Sequence, residues 1–362
     1  MAGSWMSRAI QIALCLSWGI LPAGAAEVAD TIGLTTGPSS GVSVRMAEDL
    51  AGLIDDGTTR RLIPMTGRGG MAAIADLLDG RGASLAIVHL DVLEFARQQR
   101  LFPDLETKLS YVAKLNYVEF HLLARADIVA IADLAGQVVS VGARSGDTAV
   151  TAGQLFRLLK IAPVLGNDDP GVAIEKLRRG EIAAVAFAGG KPAPLLRLAD
   201  TAGLHLVPVP LTREVVAAYV PSRLNAPDYP GLIPADTQIE TIAIPTGLFA
   251  GPAAVPGGEE YRKLANLVDT FFTQFQTLLA PGHHGKWAEV NLSATIPGWQ
   301  RFAPAEEWLK RNASVAAGQD LRAIFMKFLD ERERSAGGPQ LTREQKDALF
   351  DQFRRWQTGQ SN

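Results

Sequence analysis

Short apolar runs alternate with helix-patterned stretches along most of the chain from Asp30 onward. Thr31 to Thr35 reads as a strand, closed by the turn Gly37-Pro38-Ser39-Ser40-Gly41. Ala47, Leu50 and Ile54 then recur at helical spacing, which predicts a helix beginning near Ser43. Arg61 to Met65 is the next strand, Met71, Ile74, Ala75 and Leu78 mark a helix, and Leu85 to Val88 is a short buried strand. Strands alternating with helices in this way predict parallel βαβ units.

The pattern restarts at Asp133-Leu134-Ala135-Gly136, with a strand over Val138 to Val141, a glycine-rich turn over Gly142 to Gly146 and a helix over Thr148 to Leu159. A helix at Ile174 to Leu177 and strands at Ala183 to Phe187 and Leu204 to Val209 follow. Beyond the Pro-rich stretch Pro221 to Pro234, Glu240 to Phe249 fits a last long strand. Glu119 to Arg125 and Glu240 to Ile244 are extended enough to cross between two lobes, and two crossings make a hinge beside a cleft. The expected organisation is a first lobe over 27–123, a second over 124–238, a return to the first over 239–310 and a helical extension over 311–362. Helices are predicted at Tyr261 to Leu279, Trp308 to Arg334 and Leu341 to Trp356. The last carries a capping-box signature in Thr342 and Gln345 and an apolar stripe in Leu349, Phe353 and Trp356, and is expected to dock on the body.

At 362 residues the chain has room for two α/β lobes. Lys and Arg total 35 against 38 Asp and Glu, so no basic footprint for nucleic acid exists. Residues 1–26 have the three-part layout of a secretory signal peptide: a positive start, an apolar run from Ala9 to Leu21, and small residues from Pro22 to Ala26. That apolar run falls short of the ~20 residues needed to span a bilayer. Cys15 is the only cysteine and lies inside it, so the mature chain is expected to be soluble, extracytoplasmic, and without thiol chemistry or disulfides.

Catalytic and cofactor signatures are missing. Gly142-Ala143-Arg144-Ser145-Gly146 places its serine one position too late for a nucleophile elbow. Gly189-Gly190-Lys191 lacks the earlier glycine of a phosphate loop, and Gly67-Arg68-Gly69-Gly70 misses the dinucleotide spacing. His89, His121, His205, His283 and His284 include no pair at metal-ligand spacing; His283 and His284 read as solvated, His121 and His205 as packed in strands. No metal or cofactor is expected.

The glycine-rich turns carry the functional signal. Thr35 to Gly41, Thr66 to Gly70 and Gly142 to Thr148 each end a strand and open a helix, so in parallel units they share the carboxyl edge, where ligands bind. Free N–H groups at helix starts favour an anionic group such as a carboxylate. Arg68 and Arg144 sit in two of these turns and could pair with it. His89 ends a buried strand and is read as facing the cleft, while Asp91 is read as a cap for the helix that follows.

In order along the chain, Thr36-Gly37-Pro38-Ser39-Ser40-Gly41, Thr66-Gly67-Arg68-Gly69, Ala86-Ile87-Val88-His89-Leu90-Asp91, Tyr117-Val118-Glu119, Asp133 to Gln137, Val141 to Thr148, Gly189-Gly190-Lys191-Pro192 and Gly282 to Trp287 resemble the TAXI family of solute receptors. The resemblance spans roughly Asp30 to Trp308. It implies a two-lobed type II periplasmic-binding fold, capture of a small organic anion (an amino acid or carboxylate), and handover to TRAP-type membrane permease subunits. The first turn lacks the family's tyrosines, Arg68 stands where serine is usual and His89 replaces glutamine, so the family's ligands transfer poorly.

The expected ligand-binding residues are Ser39, Ser40, Thr66, Gly67, Arg68 and His89 in the first lobe, and Ser145, Gly146, Thr148, Phe187 and Gly190 in the second, with Tyr117 over the ligand near the first crossing. Two other readings remain open at this point. One is a ligand-sensing protein that docks on a signalling receptor through the tail. The other is an enzyme on the same scaffold, for which only Ser145, Asp91 and Glu119 are candidates.

Overall fold

In the computed structural model, which describes residues 30–37, 41–198, 201–336 and 341–357, one ten-stranded sheet runs through both halves of the molecule. The predicted signal peptide, Cys15, and Ser39 and Ser40 at the tip of the first turn lie outside the described residues. The first lobe opens with β1 (Asp30–Thr36), α1 (Val42–Ile54), β2 (Arg60–Thr66), α2 (Gly70–Asp79), β3 (Leu85–His89), α3 (Leu90–Gln98) and the short α4 (Leu105–Lys108). Strand β1 pairs in parallel with both β2 and β3.

Next comes β4 (Ser110–Arg125), sixteen residues long. At ~3.3 Å per residue such a strand extends ~50 Å, enough to serve both lobes. The second lobe holds β5 (Val138–Ser140), α5 (Asp147–Leu158), β6 (Val164–Gly166), α6 (Pro170–Arg178), β7 (Ala184–Gly189), α7 (Pro194–Leu198), β8 (Leu204–Leu206), α8 (Arg213–Ala218) and β9 (Val220–Asn225). Then β10 (Gln238–Ala250) returns antiparallel to β4. The order β2-β1-β3-β10-β4-β7-β5-β6, with β8 on β4 and β9 on β10, places the returning strand inside the first lobe's sheet. This is the type II periplasmic-binding fold, two α/β lobes hinged on a pair of antiparallel strands.

Each lobe buries apolar side chains on both faces of its part of the sheet, as parallel units require. In the first lobe, Leu34, Leu50, Phe271 and Trp287 pack on one face, and Ile74, Val88, Val92 and Phe249 on the other. In the second, Phe120, Val139, Leu155 and Tyr219 form one core, and Leu123, Ile174, Leu177 and Tyr229 the opposite one. The alternation along β4 sends Phe120 and Leu122 to one face and Leu123 to the other. Val150 of α5 packs into the first lobe's core, so apolar contact also crosses between lobes.

After β10 come α9 (Glu259–Thr273), α10 (Ala303–Arg311), α11 (Ala313–Ala336) and α12 (Arg343–Gln357). The single helix predicted over Trp308 to Arg334 is broken at Asn312, whose side-chain amide donates to the Trp308 carbonyl at 2.9 Å. Strand β9 was not predicted, because Pro221 marks that stretch as a breaker; the strand lies outside β10, where proline is tolerated. The capping box at α12 is present: the Thr342 N–H donates to Gln345 Oε1 at 2.8 Å and the Gln345 N–H to Thr342 Oγ1 at 3.3 Å. Helix α12 packs along α11, with Phe325 stacked on Phe353 at 4.9 Å and Lys346 paired with Asp330 and Glu333. Arg343 donates to the Leu279 carbonyl of the body. Among the described residues, no helix is long and apolar enough to cross a membrane.

Candidate functional site

The turn that opens α2 meets the turn that opens α5. Gly69, the residue before α2, has φ of +113°, and a Cβ there would lie 2.8 Å from the Gly146 Cα. The α2 N-terminus exposes backbone donors, and one is taken across the cleft: the Gly70 N–H donates to Asp147 Oδ1 at 2.8 Å. On the other side of the cleft Gly190 approaches the start of α1 so closely that a Cβ would lie 2.2 Å from Val42 Cγ2. Glycine at these positions lets the lobes close.

Beside this contact, Asp91 reaches from the first lobe into the second. Its Oδ2 accepts from Thr151 Oγ1 at 2.6 Å on α5 and from the Tyr219 hydroxyl at 3.3 Å after α8. Asp91 is therefore an interlobe contact; its side chain does not cap α3 as the sequence suggested, because hydroxyls of the other lobe take that oxygen. Burial raises the Asp91 carboxyl above its ordinary range and the nearby Asp147 charge adds to this, against the opposing pull of His89 and the two hydroxyls. Burial and the Asp91 charge also push the Tyr219 hydroxyl far up, so it stays a donor.

A buried charge cluster occupies the hinge. Glu119 pairs with Ala243 of β10 on one side and Gly189 of β7 on the other, at the point where β4 passes from lobe to lobe. Its carboxylate, 3% exposed, receives Lys286 Nζ at 3.1 and 3.2 Å from the first lobe, with Lys191 Nζ of the second at 3.6 Å. Lys286 also pairs with Glu289 at 2.7 Å, and Glu289 accepts the Tyr117 N–H at 3.0 Å. Burial works against the Lys286 ammonium, but the two glutamates outweigh it and hold it above its usual value.

His121 is wholly buried behind this cluster and stacks on Phe187 at 4.5 Å. The Tyr229 hydroxyl accepts the Ala193 N–H at 3.0 Å, which leaves its own proton for His121 Nε2 at 2.5 Å. His121 Nδ1–H then donates to the Glu119 carbonyl at 2.9 Å. Burial depresses this imidazole to about 3, so it is neutral.

Of the residues singled out from the sequence, Gly146 and Gly190 sit where the lobes face each other, against Gly69 and Val42, while His89 ends β3 two residues before Asp91 and Gly67 packs within the first lobe. A Cβ on Gly67 would lie 2.6 Å from the Thr36 carbonyl oxygen, which ties the first two turns together. Thr66, Arg68, Arg144 and Ser145 are exposed. Thr148 is occupied within its own lobe, accepting the Ala188 N–H at 3.0 Å, and the Tyr117 hydroxyl accepts from Lys114 at 2.8 Å. His283 and His284 are not solvated as expected: Asp49 accepts the His284 N–H at 2.7 Å and Trp287 Nε1 at 2.9 Å, and lies 3.3 Å from His283 Nδ1. Sequence reasoning missed Asp147, Thr151, Tyr219 and Lys191. Asp147 stands inside the Val141 to Thr148 turn, directly before Thr148, and that position is its only signal.

Two lobes that exchange hydrogen bonds and share a two-strand hinge are the type II architecture of periplasmic binding proteins. Residues 34–259 match the model of the NMT1-like family, and the chain belongs to that family, which is of the periplasmic solute-binding type. No curated protein matches the chain. Similar solved structures include the amino acid ABC transporter substrate-binding protein AbpA of Streptococcus pneumoniae bound to L-arginine, 11% identical over 70% of this chain and 92% of that one, with a TM-score of 0.39. The ligand-binding core of GluR0 from Nostoc punctiforme with L-glutamate is 14% identical over 71% and 95%, at 0.40. The OxyR2 regulatory domain of Vibrio vulnificus is 11% identical over 67% and 94%, also at 0.40.

Proposed function

We propose that this protein is an extracytoplasmic receptor of the TAXI type, released after loss of residues 1–26, which captures a small amino acid or other carboxylate and passes it to a TRAP-type permease. The observation that carries this reading is the pair of contacts Gly70–Asp147 and Asp91–Thr151, which join groups of opposite lobes and so would have to break for the cleft to open. A protein that encloses a solute needs such reversible contacts around it and does not need a nucleophile. The proposed wall comprises Ser39, Ser40, Gly67 and His89 from the first lobe and Gly146, Phe187 and Gly190 from the second. Thr66, Arg68 and Ser145 stand at its mouth, and Tyr117 and Thr148 support it from behind.

The test is thermal melting of the chain from Glu27 onward against amino acids, dicarboxylates, monocarboxylates and neutral controls, with mass analysis of each compound afterwards. A ligand at a hundredfold excess over its dissociation constant raises stability by ~2.7 kcal/mol. A clear shift with the compound recovered intact supports the receptor. Turnover of the compound would instead assign an enzyme to this scaffold.

A further inference from the structure

Two buried polar atoms at the edge of the first lobe lack any hydrogen-bond partner: Nδ1 of His89 and Oδ1 of Asp91. His89, 7% exposed, ends β3, and Asp91 is the second residue of α3, so both stand at the carboxyl edge of the sheet where the second lobe closes down. The other Asp91 oxygen is saturated by Thr151 and Tyr219. Oδ1 has thus lost water and gained nothing, a condition that native structures avoid unless something else supplies the donor.

A second carboxylate arrives from the opposite lobe. Asp147 Oδ1 holds the Gly70 N–H, while its Oδ2 points toward the first turn, where a Cβ on Gly37 would lie 3.7 Å from it. Among the described residues neither Asp91 nor Asp147 has a Lys or Arg within ion-pairing distance. The titratable groups around Asp91 are His89 on β3, Asp147 on α5 and Tyr219 after α8, with Arg157 acting on Tyr219 from behind. Two carboxylates without a Lys or Arg partner therefore face the same corner, and one of them, Asp91, has a buried oxygen with no donor.

We propose that this corner receives a protonated amine of the ligand, which donates to the unpartnered Asp91 Oδ1 and His89 Nδ1 with the Asp147 carboxylate as a nearby negative charge, so that the solute is an amine-bearing acid rather than a simple carboxylate. This rests on the receptor reading above. The cation cancels the like-charge repulsion between the two carboxylates, so the amine is what the closed state prefers over the open one. The carboxyl end is left to the helix-start N–H groups of the other turns.

The experiment compares calorimetric titrations of matched probes: the standard L-amino acids and γ-aminobutyrate, against their desamino counterparts such as glutarate for glutamate and succinate for aspartate. At least one amine-bearing probe is expected to bind at least tenfold more tightly than its counterpart. Asp91→Asn should erase most of that preference, weakening the amine-bearing probe and hardly touching the counterpart. Thr151→Val, which breaks the interlobe contact but spares Oδ1, should weaken both probes alike and keep the preference; Asp147→Asn provides a second carboxylate variant if Asp91→Asn folds poorly. Equal affinity for both members of a pair overturns the amine assignment while leaving the receptor standing, as does binding confined to desamino acids. Loss of both probes alike in Asp91→Asn and Asp147→Asn also overturns it, since a purely structural contact behaves that way. If no amine-bearing probe binds, the assignment fails, and binding of any other solute without turnover still preserves the receptor.

Discussion

The carboxylate of Asp147 in one lobe accepts the backbone N–H of Gly70 in the other at 2.8 Å, filling the start of a helix to which it does not belong. This hydrogen bond joins the two lobes directly, so any opening about the hinge has to break it. A charge-assisted bond of this kind contributes ~1.5–3 kcal/mol, roughly a ten- to hundredfold shift. Asp147→Ala should therefore open the unliganded protein, seen as a larger radius of gyration in small-angle scattering. An unchanged radius would mean that closure does not depend on this contact.

Gly69 and Gly190 set how closely the lobes approach from either side. A methyl group at Gly69 meets the Gly146 Cα at 2.8 Å, and one at Gly190 meets Val42 Cγ2 at 2.2 Å. Gly190→Ala is the cleaner test, because Gly69 also needs its positive φ of +113°. The variant should fold with nearly unchanged circular dichroism and lose affinity for any ligand enclosed on closure, by roughly tenfold or more as the competent state is depopulated. Wild-type affinity would place the ligand outside the closed cleft.

The hinge pair Glu119–Lys286 is buried on both sides, and removing one partner leaves a charge without its counterpart. Lys286→Met is expected to cost ~3–5 kcal/mol in denaturant unfolding. Adding Glu119→Leu should recover part of that loss, since the double variant buries no orphan charge at this position. Additive losses would indicate that Lys191 and Glu289 sustain the site without the pair.

The sequence reveals the parallel units because their apolar periodicity is local: β1 to β3 and α1 to α3 each follow from residues a few positions apart. The extended segments Glu119 to Arg125 and Glu240 to Ile244, read as crossings, fall within β4 and β10, although the full sixteen residues of β4 did not show in the pattern. The contacts that join the lobes were not legible. Asp147 and Gly70 are 77 residues apart, Asp91 and Thr151 60, and Lys286 and Glu119 167, so no local pattern announces them. Asp91 was read as a cap because an acidic residue in a helix's first turn ordinarily complements the dipole, and only the second lobe's hydroxyls reveal its other partner. Pro221 hid β9 because a breaker in sequence is tolerated on a strand with one free edge.

The C-terminal helices hold to the first lobe through Arg343 and the Leu279 carbonyl, and α12 packs along α11. Ending the chain after Ala336 removes α12 and uncovers Phe325, whose ring packs on Phe350 and Phe353. The shortened protein should melt at a lower temperature yet keep the affinity of the full chain for its solute. A lost affinity would tie the tail to the cleft.

His121 makes acid stability a local question. Its imidazole is held neutral by burial, with a folded value of about 3, whereas an unfolded chain titrates it near ~6.5. Between those values the unfolded state binds the proton and the folded state does not, so stability is full above pH ~6.5 and falls as the pH drops toward ~3. The slope from this one group is ~1.4 kcal/mol per pH unit, or ~2 kcal/mol lost by pH ~5. His121→Phe keeps a flat ring against Phe187 and removes the titrating nitrogen; the Tyr229 hydroxyl retains the Ala193 N–H. The variant should start less stable at neutral pH, because the Glu119 carbonyl loses its donor, and then decline less steeply on acidification. Urea unfolding of both proteins at four or so pH values separates the two effects, since the intercept reports the lost hydrogen bonds and the difference in slope reports the proton. Parallel curves would show that His121 is not the residue taking it up.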